Sequence, residues 1–372
     1  MVSKQCNFTL FRLTIIVIIN HPDEYNVNRV VIFLFSFLGG LSPLTITTLV
    51  LIASVIFVNG LTDAPNAVAT CITTRCITLK KAVFLSAVFN LLGVLIMSRL
   101  SPAVTETILN MVDFGNDEAL TSIALAAALF SIVLWAVVAW YFGIPTSESH
   151  ALIAGISGSA IALTGGFRAI NISHLLKAFY GLFISCFGGF IAGFIICRLI
   201  VFIFRNTARR HTEAVFRYGE IFAACCMSFM HGAQDGQKFI ATLMLTLSLS
   251  QPQDKHQLIT TVFCSVIMAL GTLTGGKKII KEVGINMVKL EKYQGFSADI
   301  ASSLMLLFCT LFGLPVSTTH TKTTAMMGSG FSKKRSSLNP SVIKDIFLTW
   351  VLTFPGCGLL GFVVTKIFLK IF

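Results

Sequence analysis

Long apolar runs separated by short polar segments dominate the chain from about residue 43 to its C-terminus. Eight of these runs carry few charges over a length close to one helical membrane crossing, which takes about 20 residues. They cover residues 43–60, 82–97, 119–142, 178–204, 220–249, 258–275, 300–315 and 344–371. The pattern predicts an all-α, polytopic integral membrane protein that uses these runs as spanning helices.

Composition supports this prediction, because 55% of the residues are hydrophobic and only 12% are charged. The formal net charge of +12 would suggest a nucleic-acid partner in a soluble chain. Here the charges lie between apolar runs, so we expect contact with membrane lipid and no nucleic-acid partner. Residues 205–217 contain four arginines, which favours a cytoplasmic linker between spans.

Several classes of enzyme are disfavoured by missing motifs. The ten cysteines form no CxxC pair, and the sequence contains neither HExxH nor GxxxxGK[ST]. These absences argue against a zinc or redox centre, a metalloprotease and an ATP-driven pump. We therefore expect no enzymatic activity and no cofactor.

Two polar motifs occur twice, in the same order. FVNGLTDAPNAVAT (57–70) aligns with FMHGAQDGQKFIAT (229–242), and GIPTSESHALIAGISGS (143–159) aligns with GLPVSTTHTKTTAMMGS (313–329). Many transporters are two copies of one unit, with the binding site where the copies meet. We predict an N-terminal extension of unknown role (1–42), a first repeat (43–204), a basic cytoplasmic linker (205–218) and a second repeat (219–372).

The first motif places polar residues on one helical face inside an apolar run. Asn59, Asp63, Asn66 and Thr70 follow helical spacing, as do His231, Asp235, Lys238 and Thr242 in the second copy. Such a stripe must face protein or a water-filled cavity, since lipid cannot satisfy it. Pro65 should break or kink its helix and free backbone carbonyls. Capping of a new helix by Asp63 is the alternative interpretation.

The second motif predicts two helix N-termini rich in hydroxyl groups. The residues concerned are Thr146, Ser147, Glu148 and Ser149 in the first copy, and Ser317, Thr318 and Thr319 in the second. Hydroxyl and backbone N–H groups at a helix N-terminus form an anion site. Ordinary helix capping is the alternative. His150 and His320 would either orient these groups or contact the ligand.

Two hydroxyl-rich helix starts imply a small oxyanion, yet the carboxylates beside them would repel it. Either the carboxylates bind a coupling cation such as Na⁺, or an Asp accepts a hydrogen bond from a protonated phosphate. Both solutions favour a cation-coupled phosphate carrier. Glu148 is in addition a candidate proton acceptor.

The motifs resemble those of the PiT family of inorganic phosphate transporters. The resemblance rests on Gly60, Asp63 and Asn66, on Gly232 and Asp235, and on the paired segments 145–150 and 315–320. It runs from about residue 44 to the C-terminus. Gln234, where the family usually has Asn, and Glu148, among the expected hydroxyls, depart from the family pattern.

This resemblance implies a secondary transporter with two inverted repeats, broken helices and re-entrant hairpins, often a homodimer, that moves phosphate with Na⁺ or H⁺ in the cell membrane. Phosphate contacts would fall to Asp63, Thr146, Ser147, Ser149, Asp235, Ser317, Thr318 and Thr319. Cation coupling would fall by position to Asp63, Asn66 and Asp235, with Na⁺ held at these three. Glu148 is a further cation-coupling candidate on its own chemistry, as an intramembrane carboxyl that could accept a proton. The family also includes sulfate permeases, so a sulfate or other oxyanion permease is the alternative function.

Overall fold

The fold was analysed in a computed structural model that describes residues 42–142, 146–247, 254–275, 280–333 and 338–372. The chain divides into two units, Met1–Ile46 and Thr47–Phe372, and the first lies almost wholly outside the described residues. The predicted extension up to residue 41, and Pro145 of the second motif, also lie outside them.

The described residues form twelve α-helices and no β-sheet; two isolated bridges pair Val112 with Ile170 and Val288 with Leu338. The helices are α1 (Pro43–Thr62), α2 (Ala64–Thr73), α3 (Leu79–Leu100), α4 (Ala103–Leu109), α5 (Glu118–Phe142), α6 (Glu148–Thr164), α7 (Ile172–Phe204), α8 (Arg209–Thr246), α9 (Asp254–Thr274), α10 (Lys292–Leu311), α11 (Thr318–Lys333) and α12 (Pro340–Ile371). The predicted all-α class is confirmed.

Six segments among the described residues are long and apolar enough to cross a membrane. They are Pro43–Thr73, Leu79–Leu100, Glu118–Ala139, Ile172–Phe204, Lys292–Leu311 and Pro340–Ile371. The other two apolar runs of the sequence are not among these six segments. Residues 220–249 fall mostly in α8, which buries several charged groups, and residues 258–275 give only a shorter apolar helix, Leu258–Thr274.

The helix of the first motif breaks at Asp63. Helix α1 ends at Thr62 and α2 begins at Ala64, with Pro65 in its first turn. Proline has no N–H and its ring clashes with the carbonyl four residues back, so the break predicted near Pro65 is confirmed. The second copy has Gln237 at the position of Pro65, and α8 continues through Asp235 without interruption.

Helices α6 and α11, which follow the two Pro-Ser-His motifs, have 17 and 16 residues. At about 1.5 Å per residue each is near 25 Å long, shorter than a hydrocarbon core of about 30 Å. Nearly all of their side chains are buried. Small residues permit this packing, since a Cβ on Gly158 would collide with the backbone of Gly358 and one on Gly328 with that of Phe190. The lengths and burial of α6 and α11 are compatible with the predicted re-entrant hairpins, which enter the membrane without crossing it.

The two halves of the chain pack in a reciprocal way. Helix α6 of the first half packs against α12 of the second, while α11 of the second half packs against α7 of the first. The local structure also matches: Asn171 caps α7 by accepting a hydrogen bond from the Ser173 N–H, and Asn339 caps α12 through Ser341 N–H. Helices α6 and α11 therefore each pack against the last helix of the opposite half.

The basic segment predicted as a linker, residues 205–218, is mostly helical. Helix α7 ends at Phe204 and α8 begins at Arg209, so only four residues separate them. Residues 209–218 form the first turns of α8.

Candidate functional site

The N-termini of α6 and α11 meet in the interior of the protein. Ser147 Oγ accepts a hydrogen bond from the His150 N–H at 3.2 Å, and Ser317 Oγ accepts one from the His320 N–H at the same distance. Both serines therefore cap their helices, as the alternative interpretation had it. The N–H groups of the first two residues of each helix still have no acceptor within the helix. The imidazole centroids of His150 and His320 are 4.5 Å apart, so the two helix starts adjoin.

Asp63 lies at the break between α1 and α2, buried against α11. Thr319 Oγ1 donates to Asp63 Oδ1 at 2.9 Å, and Asn59 Nδ2 donates to Asp63 Oδ2 at 3.3 Å. Asn66, one turn later, donates from Nδ2 to Thr319 Oγ1 at 3.2 Å. Within the described part of the chain, all hydrogen-bond donors to this carboxylate are neutral.

Asp235 lies on α8 and has more partners. Ser149 Oγ donates to its Oδ1 at 3.3 Å, while Thr318 Oγ1 donates to its Oδ2 at 3.1 Å. Asn59 Nδ2 lies 3.2 Å from the same Oδ2 and so joins the two carboxylates. His231 Nε2 is 3.3 Å from Asp235 Oδ2. The two acidic motifs, distant in sequence, thus share one polar cluster with both helix starts.

Lys238 completes this cluster. Its side chain is fully buried, and its Nζ donates to Asp235 Oδ1 at 2.6 Å, Ser149 Oγ at 2.6 Å and the Val316 carbonyl at 2.5 Å. The ammonium therefore joins α8 to the start of α6 and to the segment that precedes α11. Buried charges are stable only when paired and hydrogen-bonded, and this one is both.

The contacts of the first motif recur in the second. Thr319 donates to Asp63 as Ser149 donates to Asp235, and each hydroxyl also contacts the side chain one turn after that acid, Asn66 or Lys238. In each case the acid and the hydroxyl come from opposite halves of the sequence. The two acids are therefore held in matching ways across the boundary between the halves.

Glu148 and Thr146 are buried at the α6 start but make fewer contacts. Glu148 Oε1 lies 3.5 Å from Thr62 Oγ1, at the limit of a hydrogen bond. Thr146 precedes the capping serine and is buried. Four buried side-chain oxygens in or beside the cluster have no hydrogen-bond partner within the described residues: Asn59 Oδ1, Asn66 Oδ1, Glu148 Oε2 and Gln234 Oε1.

His150 and His320 pack against aromatic rings. The His320 ring stacks on Trp350 with a centroid distance of 3.7 Å, and the two imidazoles meet edge to face. Both Nδ1 atoms and the His320 Nε2 lack hydrogen-bond partners among the residues described. Here the rings touch each other rather than the neighbouring serines, and the backbone N–H groups of both histidines receive the serine caps.

Sequence reasoning noted Lys238 on the polar face but gave it no role, and it missed a second buried ion pair between Lys322 and Asp299. Thr70 Oγ1 donates to both oxygens of Asp299 at 2.9 Å. The available signal was a lysine inside a largely apolar or uncharged segment, Lys238 in 220–249 and Lys322 in α11. Because a charge in such a segment needs a partner, both lysines were candidates.

Comparison with known proteins gives this geometry a context. A model of the phosphate transporter family matches residues 59–361. The chain belongs to this family. The probable low-affinity inorganic phosphate transporter of Bacillus subtilis is 33% identical over 323 residues, which cover 86% of this chain and 96% of that protein. A protein of the same description from Rhizobium meliloti is 33% identical over 309 residues, covering 82% of this chain and 90% of the relative.

A solved structure described as the sodium-dependent phosphate transporter has the same fold. Its TM-score is 0.80 at 20% sequence identity, and the match covers 89% of this chain and all of that one. As a member of the phosphate transporter family the protein is a multi-pass membrane transporter of the cell membrane and not an enzyme. The family resemblance predicted from the two pairs of motifs is confirmed.

Proposed function

We propose that the protein imports inorganic phosphate by alternating access, coupled to a cation for which Na⁺ is the best fit. The observation that carries the proposal is the direction of the hydrogen bonds in the cluster. Thr319 donates to Asp63, while Ser149 and Thr318 donate to Asp235. The hydroxyl groups that suit an oxyanion are thus bound to carboxylates.

This arrangement links cation binding to phosphate binding. The Asp63 carboxylate, which has no cationic hydrogen-bond donor among the described residues, repels an incoming phosphate, and both carboxylates compete for the hydroxyl donors it needs. A cation bound at the carboxylates removes the repulsion and frees the hydroxyls. Phosphate could then take those donors together with the N–H groups at the two helix starts, where the helix dipole also favours an anion. Cation and phosphate would therefore bind together and move together.

Na⁺ fits the unpaired atoms of the site. Asn59 and Asn66, which lie one turn either side of Asp63, each have a buried side-chain oxygen without a hydrogen-bond partner among the described residues. Glu148 and Gln234 each have one such oxygen as well. Carboxylate, amide and carbonyl oxygens are the usual ligands of Na⁺ in transporters with broken helices. The name of the structural neighbour, a sodium-dependent phosphate transporter, agrees with this choice.

We further infer that the halves are inverted repeats that exchange roles during transport. The reciprocal packing of α6 on α12 and of α11 on α7 supports this inference, as do the matching contacts of Asp63 and Asp235. Binding between two equivalent halves allows the same site to open to either side of the membrane by rocking of one half against the other.

The test is uptake of labelled phosphate into proteoliposomes under an inward Na⁺ gradient or, separately, an inward H⁺ gradient. We expect Na⁺-driven uptake that excess sulfate does not inhibit. Asp63→Asn should abolish it, while Asp345→Asn, the same change at an exposed position, should not. Uptake driven only by H⁺ would show that the coupling ion is H⁺ and not Na⁺. Accumulation of sulfate instead of phosphate would show that the substrate is sulfate.

A further inference from the structure

The environment of Lys238 is that of a bound cation. Its ammonium contacts one carboxylate oxygen, one hydroxyl oxygen and one backbone carbonyl oxygen, from Asp235, Ser149 and Val316, at 2.5 to 2.6 Å. These three groups belong to three different segments of the fold. Oxygens of these kinds are the ligands that hold Na⁺ in transporters.

An ammonium group has three N–H donors and no acceptor. The three oxygen contacts of Lys238 use all three donors. None is left for a phosphate oxygen while these contacts persist. The lysine is therefore arranged to neutralise Asp235 rather than to bind the anion, although a lone lysine near an anion site would ordinarily be assigned the second role.

The matching position in the first half carries no charge. Asn66 aligns with Lys238, and its Nδ2 donates to Thr319 Oγ1 as the lysine donates to Ser149 Oγ. Its Oδ1 is buried and has no partner among the residues described. Asp63 beside it accepts only from neutral donors in the described region. A carboxylate, an amide oxygen and a hydroxyl thus gather at a place where no charged group of the described residues donates a hydrogen bond.

We propose that Lys238 is a tethered cation that permanently fills the second of two equivalent coupling-ion positions. Only the first position, at Asp63 and Asn66, then takes a Na⁺ from solution. This inference rests on the proposed function, because it concerns how many ions accompany each phosphate. It means that Asp235 stays neutralised throughout the cycle, and that the protein moves one Na⁺ fewer than a chain with Asn in place of the lysine.

The direct test counts Na⁺ bound to purified protein in the absence of phosphate. Lys238→Asn replaces the ammonium with an amide oxygen, so Na⁺ can bind at Asp235, and the variant should bind one Na⁺ more than wild type. The reciprocal change Asn66→Lys should bind one fewer. Lys81→Asn, the same substitution at an exposed lysine, should leave the count unchanged.

Transport supplies a second readout. In proteoliposomes with a fixed Na⁺ ratio and no membrane potential, each additional coupled Na⁺ multiplies the limiting phosphate accumulation by that ratio. Lys238→Asn should gain one such factor. A folded Lys238→Asn protein that binds no extra Na⁺ and needs more phosphate for half-saturation would overturn the proposal, since the lysine would then be a phosphate ligand.

The two proposals fail separately. Wild-type vesicles that take up no phosphate would refute the proposed function, but the Na⁺ counts would still decide the role of Lys238. If Lys238→Asn does not fold, Asn66→Lys decides: an unchanged Na⁺ count in that variant, or a wild-type protein that binds no Na⁺, would overturn the tethered-cation proposal.

Discussion

Asp63 and Asp235 occupy matching positions in the two halves, but they differ in what surrounds them. Asp63 sits at a broken helix among neutral donors, whereas Asp235 sits in a continuous helix with a lysine one turn away and a histidine 3.3 Å from its carboxylate. The first environment has unpaired oxygens and the second has an ammonium. This difference is the basis of our proposal that one half accepts an ion from solution while the other already contains a cation in Lys238.

Removing each carboxylate should produce the largest difference between the halves. Asp235→Asn leaves the buried Lys238 without its counter-charge, and breaking a buried ion pair costs about 3–5 kcal/mol. Asp63→Asn removes no ion pair among the described residues, so its loss of stability should be much smaller. Thermal unfolding in detergent measures both, and equal destabilisation would contradict the asymmetry. Phosphate uptake should be lost in both variants.

Two aligned glycines test how similarly the two halves are packed. Gly60 lies against the backbone of Met268, and its aligned partner Gly232 lies against the backbone of Asn90. Because a backbone cannot move aside as a flexible side chain can, Gly60→Ala and Gly232→Ala should each cost about 1–3 kcal/mol through overpacking.

The same unfolding assay tests the glycine variants. Gly166→Ala is the control, since a Cβ there would meet nothing within 4 Å. A large loss in only one of the two variants would show that the halves are packed less alike than their contacts indicate.

The hydroxyl groups of the two helix starts test the anion site. Thr319→Ala removes a hydrogen bond to a charged group, worth about 1.5–3 kcal/mol, so phosphate affinity should fall roughly tenfold to a hundredfold. Thr319→Ser keeps the hydroxyl and should retain most of the affinity. Ser149→Ala should have a weaker effect, because Lys238 still neutralises Asp235. Equilibrium binding of labelled phosphate measures all three, and the opposite order would contradict the account.

The change with the smallest expected effect on phosphate uptake is Glu148→Gln. Glu148 stands where the second half has Thr318, and one of its oxygens has no partner in the described part of the chain. If this carboxyl accepts a proton during transport, Glu148→Gln should weaken the pH dependence of phosphate uptake while the maximal rate stays similar. Uptake measured from acidic to alkaline pH decides this, and an unchanged profile would remove the proposed role.

Much of the site could be predicted from the sequence because both polar motifs occur twice in the chain. The recurrence of an aspartate and of a Ser/Thr-rich helix start identified most residues of the cluster, and Pro65 identified the helix break. The coupling ion, the individual ligand contacts and the homodimer stay predictions.

The remaining features depend on tertiary contacts that periodicity cannot supply. Lys322 looked like an isolated charge until the fold brought Asp299 beside it, and only the fold shows that Ser149 and the Val316 carbonyl contact Lys238. Residues 220–249 looked like a spanning run because their many apolar side chains outweigh a few charged ones. In the structure Asp235 and Lys238 are paired inside the protein, and α8 supplies both to the site.

We propose that a cation at Asp63 frees the hydroxyl donors for phosphate. The deciding measurement is the affinity of the purified protein for labelled phosphate as Na⁺ replaces choline at constant ionic strength. We expect weak binding in choline and an affinity that rises with Na⁺ in wild type but not in Asp63→Asn. Equal phosphate affinity in choline and in Na⁺ would show that phosphate binding does not depend on the cation.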